Sequence, residues 1–149
     1  MIVASSAVLA IGNREPEFER ILVAMATAER LRLSAATWVE IGIVVDSRRD
    51  PMVARCTDNL LAELSVEVEP VTVEQAQVAR AAYRDFGKGR HRAGLNFGDC
   101  FSYALAKTAR EPLLFKGDDF SLTDIEPALP SPGAGQGNPM ALPDDGAVS

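Results

Sequence analysis

Leu113-Leu114-Phe115-Lys116-Gly117-Asp118-Asp119-Phe120 is the stretch on which the fold turns. Its three leading apolar residues read as a short buried strand, and the glycine with two aspartates behind them reads as the turn that ends it. A helical pattern from about Phe97 to Ala109 precedes it, so helix, strand and acidic turn follow one another. The same alternation runs back to the start of the chain. Met1-Ile2-Val3 is a first strand, leading through Ser5 and Ser6 into Ala7-Val8-Leu9-Ala10-Ile11, and Phe18, Ile21, Leu22 and Met25 recur at helical spacing between Glu17 and Glu29. Leu31 to Ser34 is a second strand, feeding a helix that carries Trp38, Ile41 and Val45. Pro51 opens a helix through Leu64, and Val66 to Val68 is a third strand. Thr72 with Gln75 forms a capping box for a helix to about Phe86, where Gly87 and Gly89 begin a loop that runs to Asn96. Short strands separated by helices predict a single α/β domain, a sandwich of helices around a mainly parallel sheet.

A chain of 149 residues with 47% apolar content can bury one substantial core. The domain is expected to span residues 1–129. Residues 130–149, rich in proline and glycine, are expected to be a flexible tail, because they hold too little apolar area to offset their ordering entropy. No secretory signal and no apolar run of membrane-spanning length is visible, which predicts a soluble, cytoplasmic protein with no membrane partner. Cys56 and Cys100 each lie in apolar helical patterns and read as reduced core thiols. With His91 the only histidine, a zinc cluster cannot be assembled, and a Ser-His-Asp triad would have to recruit a residue from a basic loop. Any bound metal must therefore be held by oxygen, which points to magnesium or manganese.

The formal charge of −6 argues against a surface coated in base for nonspecific nucleic-acid binding. Its distribution is uneven, however. Arg80, Arg84, Lys88, Arg90 and Arg92 crowd residues 80–92 against the single acid Asp85, leaving a local phosphate-binding strip within an acidic total.

In an open parallel sheet, functional groups collect beyond the carboxyl ends of the strands and at the starts of the helices that follow. Glu40 is expected in the first turn of the helix after strand two, Asp99 in the first turn after the glycine-bearing loop, and Asp118 and Asp119 directly after a strand. Each also has a plain structural reading. Glu40 could complete a capping box with Thr37, Asp99 could favour the helix dipole, and Asp118 and Asp119 could form a solvated turn. Together they are carboxylates drawn from separate elements, whose repulsion reaches about 4 kcal/mol per pair at a few ångströms and an effective dielectric of roughly 20. A bound cation or a shared proton makes such a cluster tolerable, and phosphodiester hydrolysis is the chemistry it favours. Ser6 could cap the first helix or donate a hydrogen bond to a site carboxylate.

These pieces resemble the VapC-type toxins of bacterial toxin-antitoxin modules, which are PIN-domain ribonucleases. The resemblance is carried by Met1-Ile2-Val3-Ala4-Ser5-Ser6-Ala7-Val8-Leu9-Ala10, Ser34-Ala35-Ala36-Thr37-Trp38-Val39-Glu40 and Phe86-Gly87-Lys88-Gly89-Arg90-His91. It continues through Leu95-Asn96-Phe97-Gly98-Asp99-Cys100-Phe101-Ser102-Tyr103-Ala104-Leu105-Ala106 to the acidic turn and Thr123-Asp124-Ile125, leaving the tail uncovered. It implies Mg²⁺ or Mn²⁺ dependence and endonucleolytic cutting of structured RNA such as tRNA or ribosomal RNA. It also implies a homodimer and inhibition by a cognate VapB-type antitoxin. Glu40 and Asp99 match family acids, Asp118 and Asp119 straddle the last acidic position, and Ser6 matches a small hydroxyl beside the first acid.

The departure is Ala4, which stands where the family carries an aspartate that binds metal. Losing that ligand predicts a severely impaired enzyme, with the rate down on the order of 10²-fold or more. Lys88, Arg90 and Arg92 are the expected contacts to RNA phosphates. Two other functions compete: a catalytically dead module that binds RNA or antitoxin, and a phosphatase with an aspartyl nucleophile after strand one. Ala4 and the absence of an Asp-x-Asp pair count against the second.

Overall fold

A computed structural model of the chain describes residues 1–130. Its elements are β1 (Ile2–Val3), α1 (Ser5–Gly12), α2 (Phe18–Thr27), β2 (Arg32–Ser34), α3 (Ala35–Ser47), α4 (Pro51–Glu63), β3 (Glu67–Glu69), α5 (Val73–Phe86), α6 (Phe97–Ala109) and β4 (Leu113–Leu114), followed by a 3-10 turn at Asp119–Leu122. The expected tail lies outside the described residues, apart from Pro130 at its edge.

Local chemistry fixes the helix starts. Asp50 accepts from the Met52 N–H with Pro51 at the first helical position of α4, and Thr72 accepts from the Gln75 N–H at the start of α5. At α6, Asn96 and Asp99 cap each other reciprocally, and Arg110 closes the helix in the left-handed conformation. One expected cap is corrected. Thr37 does not begin α3: Ser34 does, accepting from the Ala36 N–H, so the Thr37–Glu40 capping box does not exist. Thr37 is buried inside α3 and shares a 3.0 Å hydrogen bond with Ser102 of α6.

The strands pair in the order β3-β2-β1-β4, all parallel. Side chains alternate across the sheet and divide the core in two. Ile2 and Leu113 face Leu95, Tyr103 and Leu105 on the α5–α6 side, whereas Val3 and Leu114 face Val8, Ile21 and Ile41 on the side of α1 to α4. The expected α/β sandwich is the observed one. At the amino-terminal edge of the sheet, Arg30 and Arg32 of the second strand and its lead-in pair with Glu67 and Glu69, and Arg32 also pairs with Glu111.

Cys56 is a second correction: both thiols are free, but only Cys100 is buried. Helix α4 turns Thr57 and Leu61, one helical turn apart, toward the core, so Cys56 is rotated out to solvent. Within α6 the buried Cys100 thiol is pushed up to about 11, chiefly by burial and also by the charge of neighbouring Asp99, and it is inert at neutral pH.

Candidate active site

Because every strand runs the same way, the carboxyl ends of β1, β2 and β4 share one edge of the sheet. Ala4 ends β1 there; it is 1% exposed, and its N–H donates to the Leu114 carbonyl at 2.9 Å. Ser5, the first residue of α1, donates its hydroxyl to Glu40 Oε1 at 2.9 Å. Glu40 reaches this point from the second turn of α3 rather than the first, because the helix begins at Ala35. Its other oxygen, Oε2, is buried without a hydrogen-bond partner.

Directly beneath that carboxylate lies Gly98. A Cβ at this position would sit 1.8 Å from Glu40 Oε2, so any side chain there would push the Glu40 carboxylate out of its place. One residue on, Asp99 accepts from the Asn96 N–H at 2.9 Å. Burial lifts the Asp99 carboxyl from the ordinary 3.8 to about 6, against the opposing pull of the Asn96 N–H; the charges of Glu40 and Asp119 raise it further.

That coupling separates the two adjacent aspartates of the acidic turn: Asp119 acts on Asp99, and Asp118 does not figure among the causes of its shift. Gly117, in a left-handed conformation at φ +95°, turns the chain between β4 and these acids. The turn is tied down twice at Lys116, whose N–H donates to Ser6 Oγ at 3.1 Å and whose ammonium pairs with Glu15. Ser6 therefore supports the acidic turn, while its neighbour Ser5 bonds the site carboxylate. The division follows from the helix, which aims consecutive side chains about 100° apart.

Glu40, Asp99 and Asp119 thus come together around the end of β1, with Ala4 contributing no charge. Among the described residues, no group of three acidic, histidine or cysteine side chains is placed to hold a metal ion. The donor chemistry is that of a hard cation that keeps several waters: an orphaned carboxylate oxygen on Glu40, and an Asp99 carboxyl whose pKa is raised by burial first and by the charges of Glu40 and Asp119 next.

The basic residues belong to α5 and the loop that follows it. Arg80, Arg84, Lys88, Arg90 and Arg92 are all exposed, and the one ion pair recorded among them is a loose Arg84–Asp85 contact of 3.9 Å. His91 has a structural part, its Nδ1 accepting from the Ala93 N–H and its ring standing edge-on to Phe86. Ser5, Gly98 and Asn96 are site residues that sequence reasoning passed over. Asn96 carried a readable signal in its three-residue spacing to Asp99, whereas Gly98 and Glu15 carried none.

Comparison with known proteins bears on the fold and the family. The PIN domain pattern matches residues 1–126. The chain belongs to the PIN domain family. It is 55% identical over 130 residues to ribonuclease VapC28 of Mycobacterium tuberculosis, covering 87% of this chain and 98% of that one. It is 48% identical over 125 residues to a ribonuclease VapC of Mycolicibacterium smegmatis, covering 84% and 97%. Among solved structures, M. tuberculosis VapC20, described as a sarcin-ricin loop cleaving toxin, superposes with a TM-score of 0.68 at 19% identity, over 83% of this chain and 95% of that one. VapBC2 of Rickettsia felis, solved with a DNA fragment from its promoter, gives 0.62 at 10% identity over 84% and 94%. At these identities the structures support the fold, while the sequence relatives support a PIN-domain ribonuclease. Among the described residues no helix is long and apolar enough to cross a membrane.

Proposed function

We propose that this chain is the toxin component of a type II toxin-antitoxin module, a divalent-cation-dependent endoribonuclease that cuts structured RNA such as tRNA or ribosomal RNA and is impaired by Ala4. One observation supports the site assignment: Asp99 feels the charges of both Glu40 and Asp119, and one Glu40 oxygen is buried without a partner among the described residues. Mg²⁺ or Mn²⁺ bound there would lower the pKa of a water and stabilise the leaving oxygen of a phosphodiester.

The chain's own residues supply placement. Ser5 fixes one Glu40 oxygen and leaves the other free to face a cation. Asn96 holds Asp99, whose raised pKa of about 6 makes cation loading compete with a proton as the pH falls toward that value. The Lys116 tethers hold the turn bearing Asp119, which this reading prefers to Asp118 as the facing acid. Lys88, Arg90 and Arg92 hold RNA phosphates and set the register of the strand. Position 4 lacks the carboxylate that would complete the set, so the cation is held weakly and the attacking water is poorly placed.

The named relatives and the VapBC complex also support a VapB-type antitoxin as partner. A homodimer and a cytoplasmic location go with the same reading, as does a flexible segment beyond residue 129. Ala4 by itself favours a second reading, a catalytically dead module that occupies RNA or antitoxin. Side-by-side cleavage assays on this protein and its Ala4→Asp variant separate the two. The enzyme reading expects EDTA-sensitive cleavage of tRNA or ribosomal RNA that rises on the order of 10²-fold in the variant. A folded Ala4→Asp protein that leaves RNA intact in saturating Mg²⁺ and Mn²⁺ refutes it.

A further inference from the structure

A groove of about 610 Å³ opens between α5 and α6, next to the acidic edge. Its lining is mainly apolar, with Ala79 and Cys100 among the floor residues and Tyr83 and Phe97 as exposed aromatic walls. Phe97 is 78% exposed, an unusual cost for the first residue of a helix whose other aromatics are covered. Its ring is not loose, because Phe101, one turn on, stands edge-on to it with centroids 4.9 Å apart. Arg80 and Lys88 line the same groove, and no ion pair is recorded for either among the described residues. Asn96, which also lines it, caps the start of α6 and exchanges hydrogen bonds with Asp99, so the groove ends at the helix start that carries this acid.

Resting on the endoribonuclease reading above, we infer that this groove is a base-binding subsite, in which Phe97 and Tyr83 stack on unpaired nucleobases while Arg80 and Lys88 hold the intervening phosphates. A flat apolar slot with cations at its rim is the complement of a single-stranded nucleotide, apolar on its faces and anionic along its backbone. The charge pattern favours this occupant over a second copy of the chain. At a formal charge of −6 the chain is acidic overall, whereas this surface lies in its most basic stretch. Phe97 and Asp99 project from different sides of the first turn of α6, so a strand stacked on Phe97 crosses the helix start to bring a phosphate to the acids. The subsite would select loops and bulges over paired helices, because only an unpaired base can leave its stack to enter it.

The test uses the full-length Ala4 protein, which can be held with RNA for equilibrium measurements. Probes are a fluorescent 12-nucleotide single-stranded RNA, the same oligonucleotide carrying abasic sites, and a blunt RNA duplex. The expected result is preference for the single strand, roughly tenfold weaker binding with Phe97→Ala, recovery with Phe97→Trp, and quenching of the introduced indole by RNA. Abasic RNA should bind weakly and lose nothing further with Phe97→Ala. Arg80→Ala and Lys88→Ala should reduce the salt dependence, which Phe97→Ala leaves unchanged. Circular dichroism melts confirm that the exposed substitutions leave the fold intact.

Equal losses for intact and abasic RNA, or no loss at all, overturn the inference. If Phe97→Ala is silent while the Ala4→Asp protein still cuts RNA, the subsite falls and the enzyme reading stands. If neither form binds or cuts RNA, both fall.

Discussion

Restoring a carboxylate at position 4 should weaken the metal-free protein even as it repairs the enzyme. Ala4 is 1% exposed, and Glu40, Asp99 and Asp119 already crowd the same edge. The rise of Asp99 from 3.8 to about 6 corresponds to ~3 kcal/mol between its protonation states, an upper figure because the group keeps some solvent access. A fourth carboxylate at about 6 Å from one of these acids adds ~3 kcal/mol of repulsion at an effective dielectric of roughly 20, and proton uptake by the cluster caps the total. The net expectation for Ala4→Asp in EDTA at pH 8 is a loss of about 2–4 kcal/mol, on the order of 10 °C in melting temperature. At pH 5 the loss should shrink, since Asp99, with its raised pKa, relieves the repulsion by binding a proton. Mg²⁺ at a hundred times its dissociation constant should return about 2.7 kcal/mol to the variant and much less to the Ala4 protein. Calorimetric or fluorescence melts of both proteins across these conditions are the assay. An Ala4→Asp protein that melts no lower than Ala4 in EDTA at pH 8, with equal responses to Mg²⁺, would refute a shared carboxylate site.

Three further outcomes test the parts singly. Asp99 titrates above its unfolded value, so its contribution to stability is present below about pH 3.8 and lost as the pH rises through about 6; Asp99→Asn should remove that loss and gain about 1–2 kcal/mol over the parent at pH 7 but little at pH 4, as read by urea melts. Gly98→Ala should change stability by less than about 1 kcal/mol, because a flexible carboxylate end can swing aside and alanine favours the helix, yet cut RNA cleavage in the Ala4→Asp background by tenfold or more as Glu40 is displaced. Carbon-detected NMR titration of Asp99 should show its pKa lowered by Asp119→Asn and unmoved by Asp118→Asn, and a reversed pattern would assign the facing acid to Asp118.

Much of this architecture was legible because its signals are local. Strand-helix alternation, the proline at the start of α4, the Thr72 cap and the glycines after α5 each act over a few residues, and the elements they predict form close to where expected. The candidate acids were chosen by position, since the carboxyl edge of a parallel sheet is where such groups collect. What failed was pairing across elements. Thr37 and Glu40 have capping-box spacing, but Ser34, three residues earlier, competes for the cap and wins because β2 ends there. That shift moved Glu40 into the second turn and within reach of Ser5, a partner 35 residues away. Gly98 looked like an ordinary first-turn residue, since its need for a missing Cβ arises only when α3 is laid against it. Cys56 misled because its apolar neighbours lie on the other face of its helix.

The same distinction explains how the site can keep its shape without a complete set of ligands. Were the carboxylates held in place by a cation, removing one ligand would be expected to let the others drift toward solvent. Here the anchors are independent of any metal: the Ser5 hydroxyl on Glu40, the reciprocal cap of Asn96 and Asp99, the space left by Gly98, and the Lys116 tethers to Ser6 and Glu15. Packing and capping therefore impose the charge crowding, and the orphaned Glu40 oxygen and the raised Asp99 pKa are what that imposition costs. Alanine at position 4 removes one charge from the crowd and leaves every one of these anchors untouched. A chain altered in this way should lose chemistry while keeping the surfaces by which it would recognise RNA and antitoxin, so binding measured on the Ala4 protein should report the geometry of the active form.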